Sequence, residues 1–335
     1  MKHSSMLKRI IVLIVCIFAL PHALHAQLFM QQVDGVGLSV NPQFPLPEST
    51  VTVSLAAYGY ATNDAKITWY INGSPSVGDT DARTITVPTG DGKKNITVEA
   101  HITAASIGSK ILKRTIAPGA VDIIAEPDTY APLMYRGRTL PSTESSVRVV
   151  ALPQLYANGK LIPKKDILFT WSLNGDVLLG GSQRGTDVTT ITMPRFGTAE
   201  VTVLAETADG AHSAQSSLSL SAVKPKLLFY ETSSLYGTTL LAPKHFVSSK
   251  DELSISAEPY YMNKSSVTGP LATYSWTVDG KKTTPENPRV VTLTKGAVGE
   301  RQNVTMVFMS TDKNPVFTQD SFDASFIDTP AIPSL

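Results

Sequence analysis

An all-β chain of three successive two-layer sandwiches is what this sequence predicts, on three observations. The three tryptophans stand 102 and 105 residues apart, and each opens the same pattern: Trp69-Tyr-Ile-Asn72-Gly73, Trp171-Ser-Leu-Asn174-Gly175 and Trp276-Thr-Val-Asp279-Gly280. A Trp followed by Asn-Gly or Asp-Gly at this distance reads as an inward strand residue running into a tight hairpin turn, whose two central residues need positive φ. Strands of alternating apolar and polar residues flank each Trp at matching offsets. Beyond residue 26, no stretch carries the pattern of a long amphipathic helix.

Residues 1–26 read as an export signal. Lys2, Lys8 and Arg9 form a positive start, Ile10 to Leu20 is an unbroken apolar run, and Ala23-Leu-His-Ala26 precedes a cut that leaves Gln27 as the mature start. Eleven apolar residues fall short of the ~20 that a spanning helix needs. An uncleaved anchor is the alternative. The one cysteine, Cys16, follows Val15, and lipid attachment would need a small residue there. Removing the three signal cations from the formal net charge of +1 leaves a mature chain near −2. No basic stripe points to nucleic acid. A cysteine-free exported chain must hold its domains by core packing alone, a habit more common in bacteria than in animal secreted modules. The tail, residues 330–335, is too short and too polar to anchor the chain.

In each copy, the strand before the Trp strand alternates: Val51-Thr-Val-Ser-Leu55, Val147-Arg-Val-Val-Ala151 and Leu253-Ser-Ile-Ser-Ala257. The Trp strands place Ile67/Trp69/Ile71, Phe169/Trp171/Leu173 and Tyr274/Trp276/Val278 on one face. A further strand follows at Ile85–Val87, Ile191–Met193 and Val291–Leu293. The next begins 27, 30 and 28 residues after each Trp, at Ile96, Val201 and Val304. The last strands are Lys110 to Ile116, Ser216 to Ala222 and Asp320 to Ile327. Several short strands per ~100 residues with turn signals between them indicate sandwiches of immunoglobulin type, with the Trp as central filler. The expected domains are residues 27–118, 119–223 and 224–329. Ala117-Pro-Gly-Ala120 and Val223-Lys-Pro-Lys226 are short joints without a Gly/Ser tether, which predicts a semi-rigid rod of roughly 100 Å.

Leu38-Ser-Val-Asn-Pro42 through Val51, and Ile67-Thr-Trp-Tyr-Ile-Asn-Gly73, resemble the first strand and the Trp strand of bacterial immunoglobulin-like and PKD-like surface domains. The segments Glu126 to Pro141 and Pro225 to Gly237 are similar to parts of uncharacterised exported proteins of candidate-phylum bacteria, built as a signal peptide plus tandem immunoglobulin-like domains. The PKD pattern proper would add a Gly-Asp-Gly-like run after the Trp strand, which is absent, so plain immunoglobulin-like is the better description. The resemblance brings no catalytic residue with it.

No catalytic, cofactor-binding or metal-binding residue is assigned from the sequence, and no cofactor is expected. His101, His212 and His245 fall one per copy at non-equivalent places. His101 should point outward from a strand, and the other two should sit in loops. Gly180-Gly-Ser182-Gln-Arg184 approaches a serine nucleophile elbow but has Arg where the last Gly belongs. Asp79, Asp81 and Asp91 could offer oxygens to Ca²⁺, but no partner cluster accompanies them, and turn formation is the simpler reading. Asn72, Asn95, Asn263 and Asn303 head Asn-X-Ser/Thr triplets that a bacterial host would leave unmodified. Leu140-Pro-Ser-Thr-Glu144 has Glu where a sortase signal needs Gly and is expected to be a surface loop.

The leading segments of the second and third copies hold Tyr130, Tyr135, Tyr156, Tyr230, Tyr236, Tyr260 and Tyr261. Two readings stand: a contact patch for a glycan or protein, or packing of these segments against their own sandwich or the neighbouring one. The second predicts that Tyr130 and Tyr236 are mostly buried. The expected protein is therefore an exported, non-enzymatic array acting as a cell-surface spacer, adhesin or envelope scaffold. Its partner would be an envelope protein or a glycan. The alternatives are an accessory subunit of a pilus or secretion apparatus and, from a different class, a carbohydrate-active or peptidase enzyme.

Overall fold

The computed structural model describes residues 35–57, 64–311 and 315–328. The expected signal, Cys16 and the tail lie outside them. The chain divides into two compact units, one ending at Pro118 and the other beginning at Gly119. The first unit holds one sandwich and the second holds two.

The first sandwich comprises β1 (Val36–Asn41), β2 (Thr50–Ala57), β3 (Lys66–Ile71), β4 (Ser74–Pro75), β5 (Thr84–Pro88), β6 (Ile96–Ala104) and β7 (Gly108–Ile116). A three-stranded sheet, β1-β2-β5, faces a four-stranded one, β4-β3-β6-β7. The second sandwich repeats the arrangement with β8 (Ala120–Pro127), β10 (Ser146–Gln154) and β15 (Val188–Thr192) against β13 (Ile167–Leu173), β14 (Asp176–Val177), β16 (Thr198–Thr207) and β17 (Ser213–Ser221). Short strands β9 (Thr129–Tyr130), β11 (Tyr156–Ala157) and β12 (Lys160–Leu161) decorate it.

In the third sandwich one sheet holds β18 (Lys226–Ser233), β19 (Gly237–Thr238), β21 (Glu252–Tyr260) and β25 (Val290–Thr294). The other holds β20 (His245–Ser248), β23 (Ala272–Val278), β24 (Lys281–Thr283), β26 (Arg301–Ser310) and β27 (Val316–Phe326). Between β21 and β23 lie β22 (Met262–Asn263) and a short helix, α1 (Lys264–Thr268). The chain is thus all-β, built as three tandem immunoglobulin-like sandwiches.

Each sandwich has its own core, and each core holds one fully buried Trp. The alternation read from the sequence is why: residues two apart on a strand share a face, so Ile67/Trp69, Phe169/Trp171 and Leu253/Ile255/Ala257 all turn inward. The indole N–H would be costly to bury unpaired. It donates to the carbonyl of Ala82 at 2.7 Å, Thr186 at 3.3 Å and Pro288 at 2.8 Å, each just before β5, β15 or β25.

The turns after the Trp strands also repeat. Asn72, Asn174 and Asp279 have φ of 51°, 52° and 47°, and the glycines that follow have φ of 79°, 91° and 78°. These angles fit the two-residue turn whose twist matches that of the flanking strands. The side chain adds a second function. Its Oδ1 accepts the backbone N–H of Thr97, Glu200 or Asn303 at 2.9, 2.9 and 2.8 Å. The backbone N–H of the same residue donates to that partner's carbonyl. One short polar residue thus clamps each Trp hairpin to the next strand of its sheet.

Candidate functional site at the junction of the second and third sandwiches

The segment that leads from β8 to β10 closes on itself at its base. Thr129 Oγ1 donates to the Leu140 carbonyl at 2.8 Å, and the N–H of Asp128 donates to that of Ser146 at 2.9 Å. Ser142 forms a parallel bridge with Val223, in the joint to the third sandwich, and the Val223 N–H donates to the Pro141 carbonyl at 2.8 Å. The stretch 140–144 is therefore not the plain surface loop that its composition suggests, because Pro141 and Ser142 are buried against that joint.

Beyond this base the segment reaches the third sandwich. β9 pairs antiparallel with β22, Tyr130 opposite Met262 and Thr129 opposite Asn263. The Tyr261 N–H donates to the Tyr130 carbonyl at 2.8 Å. Asn263, 8% exposed, directs its amide nitrogen to the Glu144 carbonyl at 3.5 Å, so its position in the junction leaves no room for a glycan. Two sandwiches are thereby joined by a two-residue ladder and not only by the covalent joint.

Tyrosines and one arginine fill this junction. Arg289, just before β25, lies over the rings of Tyr130 and Tyr274 at 5.3 and 5.5 Å. It donates from Nη1 to the Tyr130 hydroxyl at 3.0 Å and from Nη2 to the Val267 carbonyl, at the end of α1, at 3.3 Å. Burial opposes its charge, but the nearby Tyr274, Tyr130 and Glu258 outweigh that, and its pKa stands above the ordinary arginine value. Tyr135 bonds the Tyr261 hydroxyl at 2.9 Å and meets the Tyr260 ring edge-on at 5.4 Å. Tyr260 in turn bonds the buried Tyr230 at 2.7 Å. Burial, then the bond to Tyr135, pushes the Tyr261 phenol up to about 12. Burial, then the bond to Tyr230, drives Tyr260 higher still. Tyr130, Tyr135, Tyr260 and Tyr261 make their contacts across the junction, while Tyr230 and Tyr274 back them from within the third sandwich.

Packing against the neighbouring sandwich thus accounts for Tyr130, Tyr135, Tyr260 and Tyr261, with Tyr130 half-buried, and packing within its own sandwich accounts for Tyr230. Tyr236 departs from the expectation of burial. It is 85% exposed at the tip of the β18–β19 hairpin, beside Leu235 at 76%. A hairpin this short turns its tip residues away from the sheet, so the ring has no wall to lie on.

The other sequence candidates lie in different sandwiches or are occupied locally. His101 faces out of β6, stacked 4.5 Å from the Tyr70 ring. His212 lies in the turn before β17. His245 is not in a loop: it begins β20, which runs parallel to β27, and its Nε2 bonds Ser325 Oγ at 3.0 Å. The alternation His245-Phe-Val-Ser248 was the available signal, with Phe246 and Ser248 turned inward. Ser182 is held by local hydrogen bonds. Its hydroxyl donates to the Leu178 carbonyl at 2.8 Å and accepts the Trp171 N–H at 3.1 Å, bracing the Trp strand.

Asp79 accepts from Ser76 Oγ at 2.6 Å, Asp81 from the Ile67 N–H at 3.0 Å and Asp91 from the Lys93 N–H at 3.0 Å, each a turn or strand-end contact. Among the described residues no three His, Cys, Asp or Glu side chains gather as metal ligands. Among them, too, no helix is long and apolar enough to cross a membrane.

No protein-family profile and no curated protein sequence matches the chain. Solved structures do align with it. The three N-terminal domains of the outer capsid protein Hoc of bacteriophage RB49 align over 88% of this chain and 99% of theirs, at 12% identity and a TM-score of 0.25. Immunoglobulin domains 1–5 of Sidekick-1 align over 85% of this chain, which spans 56% of that one, at 11% identity and a TM-score of 0.29. The central fibronectin-III array of RIM-binding protein aligns over 88% of this chain and 100% of its own, at 16% identity and a TM-score of 0.29. By name the last two are arrays of immunoglobulin or fibronectin-III domains, and at these scores the likeness extends no further.

Proposed function

We propose that the chain is an exported, non-enzymatic array of three immunoglobulin-like domains, residues 27–118, 119–223 and 224–329, from a bacterial envelope. It works as a spacer or scaffold that presents binding surfaces at the cell surface. The observation that carries this reading is the junction itself. Arg289 with Tyr130, and Tyr135 with Tyr260 and Tyr261, hold two sandwiches together. A chain that invests its tyrosines and half-buried cation in its own joints is built to hold a geometry. The export signal read in residues 1–26 supplies the route, and an envelope protein or glycan is the expected partner.

A second reading, that the array is an adhesin or an accessory subunit of a pilus or secretion apparatus, draws on one feature. Leu235 and Tyr236 at the hairpin tip, and Leu240 and Leu241 at 67% and 78% exposure after it, are two exposed apolar pairs on the third sandwich. Exposed apolar patches commonly mark protein contacts.

The test is fractionation of producing cells, followed by pull-down from envelope extract with the wild-type chain and a Leu235→Ser, Tyr236→Ser double variant. The array reading expects the chain in the envelope or medium. Chain confined to the cytoplasm, or reproducible turnover of a hydrolase substrate panel, would overturn it. A partner captured by wild type and lost with the double variant selects the subunit or adhesin role over the spacer.

A further inference from the structure

The three sandwiches treat the outer edge of their last strand differently. β7 lies at a sheet edge and carries Lys110, Lys113 and Arg114. β27 carries Asp320 and Asp323, and its final four residues are covered by β20, His245 pairing with Asp323 through Ser248 with Phe326. Charge on an edge and a covering strand are both devices that stop a sheet from adding strands. β17, Ser213-Ala-Gln-Ser-Ser-Leu-Ser-Leu-Ser221, carries no charge, and among the described residues no strand is hydrogen-bonded to its outer edge. It lies at the edge of its sheet beyond β16, nine residues long, with no charged residue and no proline. β8 packs beside it without pairing to it, Gly119 lies against Ser213 and Ala214 at its start, and the chain's own leading segment reaches Val223, past its end. β8, the other edge strand of comparable length in this sandwich, carries Asp122 and Glu126 and ends on Pro127.

We propose that β17 is a self-association edge, pairing antiparallel with β17 of a second copy of this chain. The sequence suits its own reversal. With Ser217 at the two-fold axis, Ala214 faces Leu220 and Ser216 faces Leu218 on the inward side. On the outward side Gln215 faces Ser219, and Ser217 faces its own copy. Inward residues meet inward residues, as the two-residue period of a strand requires. Leu218 and Leu220 are only half-buried in the isolated sandwich, so an added strand would cover them. The existing ladder already pairs hydroxyls on the outward face, Thr202 Oγ1 with Ser217 Oγ at 2.8 Å. No charge on β17 itself opposes the approach. The same operation on β7, centred on Leu112, would set Lys110 against Arg114, like charge against like. A two-fold interface of this kind is self-complementary and closes at two copies.

Sedimentation velocity of the full chain over a rising concentration series is expected to show a monomer passing to a dimer and no further. Ser217 is exposed, and Ser217→Lys sets two cations face to face at the axis. It should weaken the dimer by roughly fivefold or more while leaving the melting temperature of the dilute, monomeric chain nearly in place. In a Cys16→Ser background, Ser217→Cys should form an intermolecular disulfide under mild oxidation, because paired strand residues stand within bridging range. Ile111→Cys on β7 should not. A chain that stays monomeric throughout, a Ser217→Lys variant that dimerises like its parent, or cross-linking at residue 111 that matches or exceeds that at 217 would each overturn the proposal.

Discussion

The segments leading into the second and third sandwiches hold the same place in the repeat and are similarly rich in aromatic and aliphatic residues, but they meet different surroundings. The one before β10 lays Tyr130 and Tyr135 against the β21–β23 connection of the following sandwich, where β22 offers a strand edge, Arg289 a cation and Tyr261 a hydroxyl. The one after β18 has no counterpart of β22 beside it among the described residues. It sends β20 back to its own sheet and leaves Leu235, Tyr236, Leu240 and Leu241 in solvent. Tyrosine content alone does not decide burial. A ring is buried where a neighbouring backbone can satisfy the chain around it and a polar group can satisfy its hydroxyl.

The contrast can be broken most forcefully from the core. Trp171→Ala empties the centre of the second sandwich and should cost roughly 3–5 kcal/mol. If the junction couples the two sandwiches, calorimetry will show both transitions moving down together. A third-sandwich transition that stays in place would mean that the ladder and the tyrosines transmit nothing.

Arg289→Ala removes two hydrogen bonds from a charged donor and two ring contacts, with an expected cost of about 2–3 kcal/mol in a half-buried setting. Its readout is separation of the second and third transitions, with faster amide exchange at Tyr261. Unchanged exchange there would show that the β9–β22 pairing stands without the cation.

Alkaline pH tests the junction a third way. The Tyr260 and Tyr261 phenols are raised in the folded chain, which therefore holds protons that the unfolded chain releases near pH 10. Their contribution is complete below about pH 10 and is lost as pH climbs through about 12 for Tyr261. Melting temperatures between pH 8 and 12 should fall less steeply in Tyr261→Phe, which keeps the ring but has no proton to lose. Parallel curves for variant and parent would remove the tyrosine from the account.

The smallest effect belongs to the other side of the comparison. Tyr236→Ser should change stability by no more than ~0.5 kcal/mol, as expected of an exposed ring. A drop of several degrees in melting temperature would mean that the loop packs after all.

Much of the fold was legible because it rests on local rules. Trp69, Trp171 and Trp276 declare inward positions by alternation, and Asn-Gly or Asp-Gly declares the turn by its need for positive φ. The strands after them fall close to where the pattern set them: Ile85–Val87 lies within β5, Val201 within β16 and Val304 within β26. The Oδ1 clamps of Asn72, Asn174 and Asp279 were not visible, because the turn alone accounts for those residue types. β20 was missed because four residues of alternation, with a histidine at their head, are too short a signal to outweigh a loop. Pro141 and Ser142 read as surface for the same reason: only the return of Val223 beside them buries the stretch.

What the sequence determined by itself is the repeated unit: strand period, turn chemistry and one large indole per core act over a few residues and need no partner elsewhere in the chain. Which tyrosines are walls and which are exposed was decided by the tertiary structure alone. That choice depends on β22 and Arg289, more than 120 positions away from Tyr130. A contact at such separation leaves no periodic trace in either segment.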